Sequence, residues 1–114
     1  MDFELLRSYL LSQAGAVEDF PFDSVTLVIK VCGKMFALVG LNDDPLRVNL
    51  KCDPGKAEFL RKHYPAVTPG YHMNKRHWNT VILDGSIPDD LILQMIDDSY
   101  ALVVKGLPRG HRPV

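Results

Sequence analysis

The chain of 114 residues is short of several things, and each shortage excludes a class of protein. No apolar run approaches the roughly 20 residues that a membrane-spanning helix needs. There are only two cysteines, Cys32 and Cys52, too few for a disulfide framework and in no metal-binding spacing. The net charge is −1, without the basic excess of a strongly nucleic-acid-binding chain. There is no G-x-S-x-G, no P-loop and no G-x-G-x-x-G. The start, Met1-Asp2-Phe3-Glu4, lacks the basic stretch of a secretory signal. What is present is ordinary: 46% hydrophobic and 24% charged residues, a composition that folds rather than staying disordered. These features predict a cytoplasmic protein away from membranes. They predict one domain over residues 1–109 and a short mobile tail at 110–114.

The hydrophobic pattern orders the chain. Asp2 is placed to cap a helix over residues 3–12, with Phe3, Leu6 and Leu10 at helical spacing. Gly15 ends it, and Phe20-Pro21-Phe22 reads as an extended connection. The period then drops to two: Val25, Leu27, Ile29 and Val31 alternate along a strand. Cys32-Gly33 reads as a tight turn into a second strand, Lys34 to Leu41. In a two-residue hairpin Lys30 faces Met35 and Ile29 faces Phe36. Ile29, Phe36 and Leu38 would then meet the helices, leaving Thr26, Val28, Lys30 and Ala37 on the other face.

Leu46, Val48, Leu50 and Cys52 alternate with Arg47, Asn49 and Lys51, the cleanest period-two pattern in the chain. Asp53-Pro54 opens a helix over 54–63, stopped by Pro65. Residues 66–79 are rich in turn formers, His77 to Leu83 reads as a strand, and Pro88-Asp89-Asp90 opens a last helix to about 104. The order α-β-β-β-α-β-β-α implies an α+β fold: an antiparallel sheet of about five strands with helices packed on one face.

Charge is unevenly distributed. Residues 1–44 carry −4, residues 45–80 carry +5, and residues 81–114 carry −2. A basic middle between acidic flanks can become one basic face. Histidines 63, 72, 77 and 111 fit no ligand motif, so no metal and no cofactor is expected. Neither cysteine lies in a nucleophile motif. The pairs Asp43-Asp44, Asp89-Asp90 and Asp97-Asp98 suit a turn, a helix start and a wet helix face, so no enzymatic activity is expected. The most unusual segment is Pro69 to Val81, which mixes Lys75, Arg76, His72, His77, Tyr71 and Trp78, the only tryptophan. Cations interleaved with aromatics suit nucleic acid. The same residues also suit a core edge, where Trp78 is buried and the cations merely solvate a turn.

The order and spacing of several segments resemble the MmcQ/YjbR family of small bacterial proteins over about residues 3–109. They are Leu5 to Ser12 followed by Ala16 to Phe22, Val31 to Ala37, Val48 to Cys52, Pro69 to Lys75, His77 to Val81, and Ser99-Tyr100 ahead of Leu102-Val103. The resemblance implies a YjbR/CyaY-like fold, related in shape to frataxin-like folds, with a double-wing motif and DNA binding as the expected function. It carries no catalytic residue. Residues placed to serve such a role are Lys30 and Lys34 around one turn, Arg47, Asn49 and Lys51 along one strand face, and Lys75, Arg76, His77 and Trp78 around a second turn. The expected partner is double-stranded DNA, bound by a monomer.

Two other readings stand beside it. The shape relation raises iron handling, but a hard cation needs several converging oxygens, and the first helix offers only Asp2 and Glu4. The stronger rival is a protein-interaction module using the open sheet face and the Trp78 region, since aromatics with Arg are typical anchors.

Overall fold

The computed structural model describes residues 1–113. Helix α1 spans Phe3–Leu11, and Asp2 caps it by accepting the Leu5 N–H at 2.8 Å. Four strands follow: β1 Ala16–Asp19, β2 Thr26–Val31, β3 Lys34–Gly40 and β4 Arg47–Lys51. Helix α2 is Pro54–His63, with Pro54 in its first turn; Asp53 holds the cap position without a side-chain hydrogen bond. Strands β5 Val67–Pro69 and β6 Trp78–Ile82 lead to helix α3, Asp89–Lys105. A short 3₁₀ turn, Arg109–His111, follows.

All strand pairs are antiparallel, in the order β1-β2-β3-β4-β6-β5. The α+β expectation holds, with six strands rather than about five. The strand that sequence periodicity missed is β1. Its acidic Glu18 and Asp19 follow an exposed Val17, so no alternation marks it. The two edges are protected differently: β1 by these charges and β5 by its brevity and Pro69.

Cys32 and Gly33 both have positive φ, 49° and 78°, as a two-residue primed turn requires. Lys30 pairs with Met35 as that turn dictates, but Ile29 pairs with Ala37, not Phe36. The register shifts between Ile29 and Lys30, which leaves Phe36 as the extra residue of a bulge. The bulge corrects two expected orientations. Ala37 joins the helix-side core, and Leu38 moves to the opposite face.

The helix-side core gathers Leu6 and Leu10 of α1, Leu60 of α2 and Ile96 of α3 against Ile29, Phe36, Val48 and Val81 of the sheet. Phe36 is fully buried and meets Tyr100 edge-on, ring centroids 5.3 Å apart. The bulge strands a backbone carbonyl, and buried Ser99 of α3 resolves this. Its hydroxyl donates to the Phe36 carbonyl at 2.6 Å and accepts the Lys51 N–H at 2.8 Å. A buried mid-helix serine is otherwise unfavourable; here it satisfies two groups that would be costly to leave unpaired.

Beyond α3 the chain turns back on the β2–β3 hairpin. Arg112 donates to the carbonyls of Leu107 and Lys105, and the Cys32 thiol donates to the His111 carbonyl at 2.9 Å. Val114, the end of the tail expected to be mobile, lies outside the described residues. Among the described residues no helix is long and apolar enough to cross a membrane.

Candidate nucleic-acid interface

Strand β4 determines what the uncovered face of the sheet offers. Val48 and Leu50 point into the core, so period-two alternation places Arg47, Asn49 and Lys51 on the opposite face. Arg47 is exposed, and among the described residues neither it nor Lys51 has a carboxylate within ion-pair distance. Across the strand, Asn49 lies opposite Thr80 and Lys51 opposite Trp78.

The two lysines of the first turn separate. Lys30 lies opposite Met35 on the uncovered face, where its ammonium pairs with Asp19 at 2.9 Å. That pairing holds the Asp19 carboxyl below the usual carboxylate range, helped by the Phe20 N–H. Lys34 lies opposite Val31, whose side chain is in the core. It therefore belongs to the helix side of the hairpin. Lys30 and Lys34 do not share a face.

The second turn is held from within. Lys75 donates its ammonium to the Gly70 carbonyl at 3.0 Å, and Arg76 remains exposed at the turn. The His77 carbonyl accepts the Cys52 N–H at 2.8 Å. Trp78 is only 8% exposed and packs with Val28 and Leu38, flanked by Met35 and Met73. It is the centre of a second, small apolar cluster and presents no ring face to a partner. Arg61 is the residue that sequence reasoning missed. Its guanidinium donates to the Asn79 side chain at 2.6 Å, to the Trp78 carbonyl at 3.2 Å and to the Lys75 carbonyl. Nothing local in the sequence signals that α2 reaches this loop.

The Asp97-Asp98 pair of α3 is engaged in structural contacts. Asp97 accepts from Tyr9 at 2.7 Å and Gln13 at 2.9 Å, and Asp98 pairs with Lys56 at 2.5 Å. Burial raises the Cys52 thiol above its ordinary value, which makes it unreactive. Among the described residues no three His, Cys, Asp or Glu side chains gather as a metal site would.

A groove of about 500 Å³ lies over the uncovered face. Its floor is Thr26, Leu38, Asn49 and Thr80; the connection carrying Phe22 forms one wall and the loop carrying Tyr71 and His72 the other. Asp43 and Arg47 stand at one end. Phe22 and Tyr71 are 65% and 66% exposed, and His72 has φ of 57°, a conformation uncommon outside glycine and often found near functional sites.

The YjbR family model matches residues 11–102. The chain belongs to the YjbR family. It is 38% identical over 112 residues to Escherichia coli K12 YjbR, covering 98% of this chain and 95% of that protein. Against Escherichia coli O157:H7 YbdF the identity is 42% over 91 residues, covering 79% and 74%. Both relatives are described as uncharacterised. A crystal structure of a Deinococcus radiodurans protein with a DUF419 domain superposes with a TM-score of 0.90 at 43% identity, covering 95% of this chain and 83% of that one. A Pseudomonas syringae protein superposes with a TM-score of 0.77 at 30% identity, covering 90% and 98%. The YjbR fold of this chain is thus that of solved relatives, with the same open sheet and three helices.

Proposed function

We propose that this YjbR-family chain is a DNA-binding protein without catalytic activity, acting as a monomer through the uncovered face of its sheet. The observation that carries the reading is the row Arg47, Asn49, Lys51. Two cations without acidic partners among the described residues stand on one strand face, with an amide between them. Four residues of strand span roughly 13 Å, a distance over which both side chains reach one phosphate backbone. Arg76 adds a third exposed cation at the neighbouring turn. Phosphate contacts of this kind position a duplex without reading its sequence, and one amide adds little discrimination.

The reading differs from a two-wing grip in which each turn contributes a pair of cations. Lys30 is neutralised by Asp19 and Lys34 faces the other way. Lys75 is held to the Gly70 carbonyl. The expected affinity is therefore weak and electrostatic. With Z contacts the log–log salt slope is about −0.9Z, so Arg47→Ala/Lys51→Ala should flatten it by up to about two contacts. Titration of labelled duplex at several salt concentrations tests this. Binding absent at low salt would sink the DNA reading; an unchanged slope in the double variant would remove β4 from the interface.

A protein-interaction module is the second reading, favoured by Phe22 and Tyr71, two large aromatics exposed beside a groove. Apolar anchors on a monomer surface commonly mark partner sites. A duplex-negative, partner-positive result sensitive to Phe22→Ser would establish it.

A further inference from the structure

The groove has a hydrogen-bonding pattern that shares only Arg47 with the phosphate contacts. Thr80 orders it. The Tyr71 N–H donates to the Thr80 hydroxyl oxygen at 3.0 Å, and that hydroxyl donates its own proton to Asn49 Oδ1. The relay fixes the orientation of the Asn49 amide. With its oxygen engaged by Thr80, the amide of this groove-lining residue keeps an Nδ2 group that has no acceptor among the described residues. At the end of the groove Arg47 adds a second uncommitted donor.

Acceptors are present too, and they differ in availability. Asp23 is fully engaged with its own loop, taking the Val25 and Thr26 N–H groups and the Thr26 hydroxyl. Asp43 is not. Its carboxylate folds over Gly40, where an added Cβ would sit 2.1 Å from Oδ2. Among the described residues its side chain accepts no hydrogen bond and has no cation within ion-pair distance. Only glycine at position 40 leaves the room for that carboxylate to lie on the sheet. The walls are the exposed rings of Phe22 and Tyr71, the latter 4.0 Å from the His72 ring.

We infer that the groove is a binding site for a single unpaired nucleobase. Donors from Asn49 and Arg47 and an acceptor from Asp43 match a planar heterocycle that carries both N–H and carbonyl groups on one edge. Aromatic walls supply stacking, to which every base presents a face. A volume of about 500 Å³ lies in the range of roughly 300–1,000 Å³ usual for ligand clefts. Guanine and uracil or thymine offer a carbonyl beside an N–H, and cytosine carries a carbonyl and an amino group on one edge with the acceptor N3 between them; adenine has no carbonyl, so it binds more weakly. The base can come from a free nucleoside or from an unstacked position of a strand. The site does not depend on duplex binding, because the recognition described here uses no phosphate.

The test is a titration of the isotope-labelled full chain with cytidine, uridine, guanosine and adenosine, followed by nuclear magnetic resonance shifts. A second arm uses short single-stranded oligonucleotides. The expected result is saturable shifts at the Asn49 side-chain amide and at Tyr71, His72 and Met73. Adenosine should be at least severalfold weaker. Tyr71→Ala, at an exposed loop position, and Gly40→Ala, which displaces the Asp43 carboxylate, should each weaken binding roughly tenfold. Saturation by nucleosides assigns a free ligand; saturation by oligonucleotides alone, at the same residues, assigns a strand. No saturable shift in the groove in either arm overturns the inference, as does binding that both variants leave unchanged. Nucleosides carry no phosphate, so loss of salt-dependent duplex binding and failure of this site are separate results.

Discussion

On the helix side of the sheet Phe36 is buried, in contact with Tyr100 of α3 and part of a core that draws apolar residues from all three helices. On the other side Trp78 covers only Val28 and Leu38, with two methionines at the margin. Both faces bury an aromatic side chain, but for different ends. The first cluster holds the fold together. The second stiffens the floor and one wall of a groove, and beside it the strand surface turns polar at Asn49, Thr80 and Arg47. A sheet with one closed face can leave the other adaptable, because the closed face already supplies most of the apolar burial that stability requires.

If this division is right, Phe36→Ala should be the most damaging change, lowering stability by about 3–5 kcal/mol in urea unfolding. Leu38→Ala, on the same strand but on the uncovered face, should lose nearer 2 kcal/mol, the low end for leucine truncation. Equal losses would mean that the two clusters form a single core and that the comparison fails. The smallest effect concerns the edge strand β1, which is tied on both sides. Arg7 of α1 pairs with Glu18, and Lys30 pairs with Asp19. Both carboxyls are held below their ordinary values by these partners, chiefly through the hydrogen bonds. A depressed carboxyl contributes stability above its unfolded value, about pH 4, and that contribution disappears as pH falls through the folded value. Arg7→Ala should therefore lower stability slightly at neutral pH and reduce the acid-side slope of a stability-versus-pH curve. An unchanged acid side in that variant would show that the Arg7–Glu18 pair does not help to hold β1.

Much of this architecture is legible from periodicity. The alternation through Leu46–Cys52 assigns Arg47, Asn49 and Lys51 to one face, and the structure agrees because β4 is regular. The hairpin is legible only up to the bulge. Turn chemistry aligns Lys30 with Met35, but the extra residue at Phe36 reverses Ala37 and Leu38. A bulge of this kind depends on α3 delivering Ser99 to the freed carbonyl, a contact 63 residues away in sequence. Trp78 admits two readings from composition, and burial by Val28 and Leu38 decides between them. The groove is the least legible part. Phe22, Asp43 and Tyr71 lie on three separate connections, and turn-forming composition says where a chain bends, not what it bends over. Arg61 illustrates the same limit: its charge counts toward the basic middle segment, yet it is directed at the carbonyls of residues 75 and 78.

The hydrogen bond from Cys32 to the His111 carbonyl makes the hairpin tip a chemical gauge of the chain's end. Cys32 is exposed and Cys52 is buried, so a thiol reagent meets one fast site and one slow site. The exposed Cys32 thiol donates to the residue 111 carbonyl, so losing that bond is expected to speed its reaction. Alkylation at Cys32 therefore reads the one hydrogen bond that ties the hairpin tip to residue 111, against Cys52 as the slow internal reference. A fluorophore fixed there would report from the hairpin tip, with Asn49 and Lys34 left unmodified.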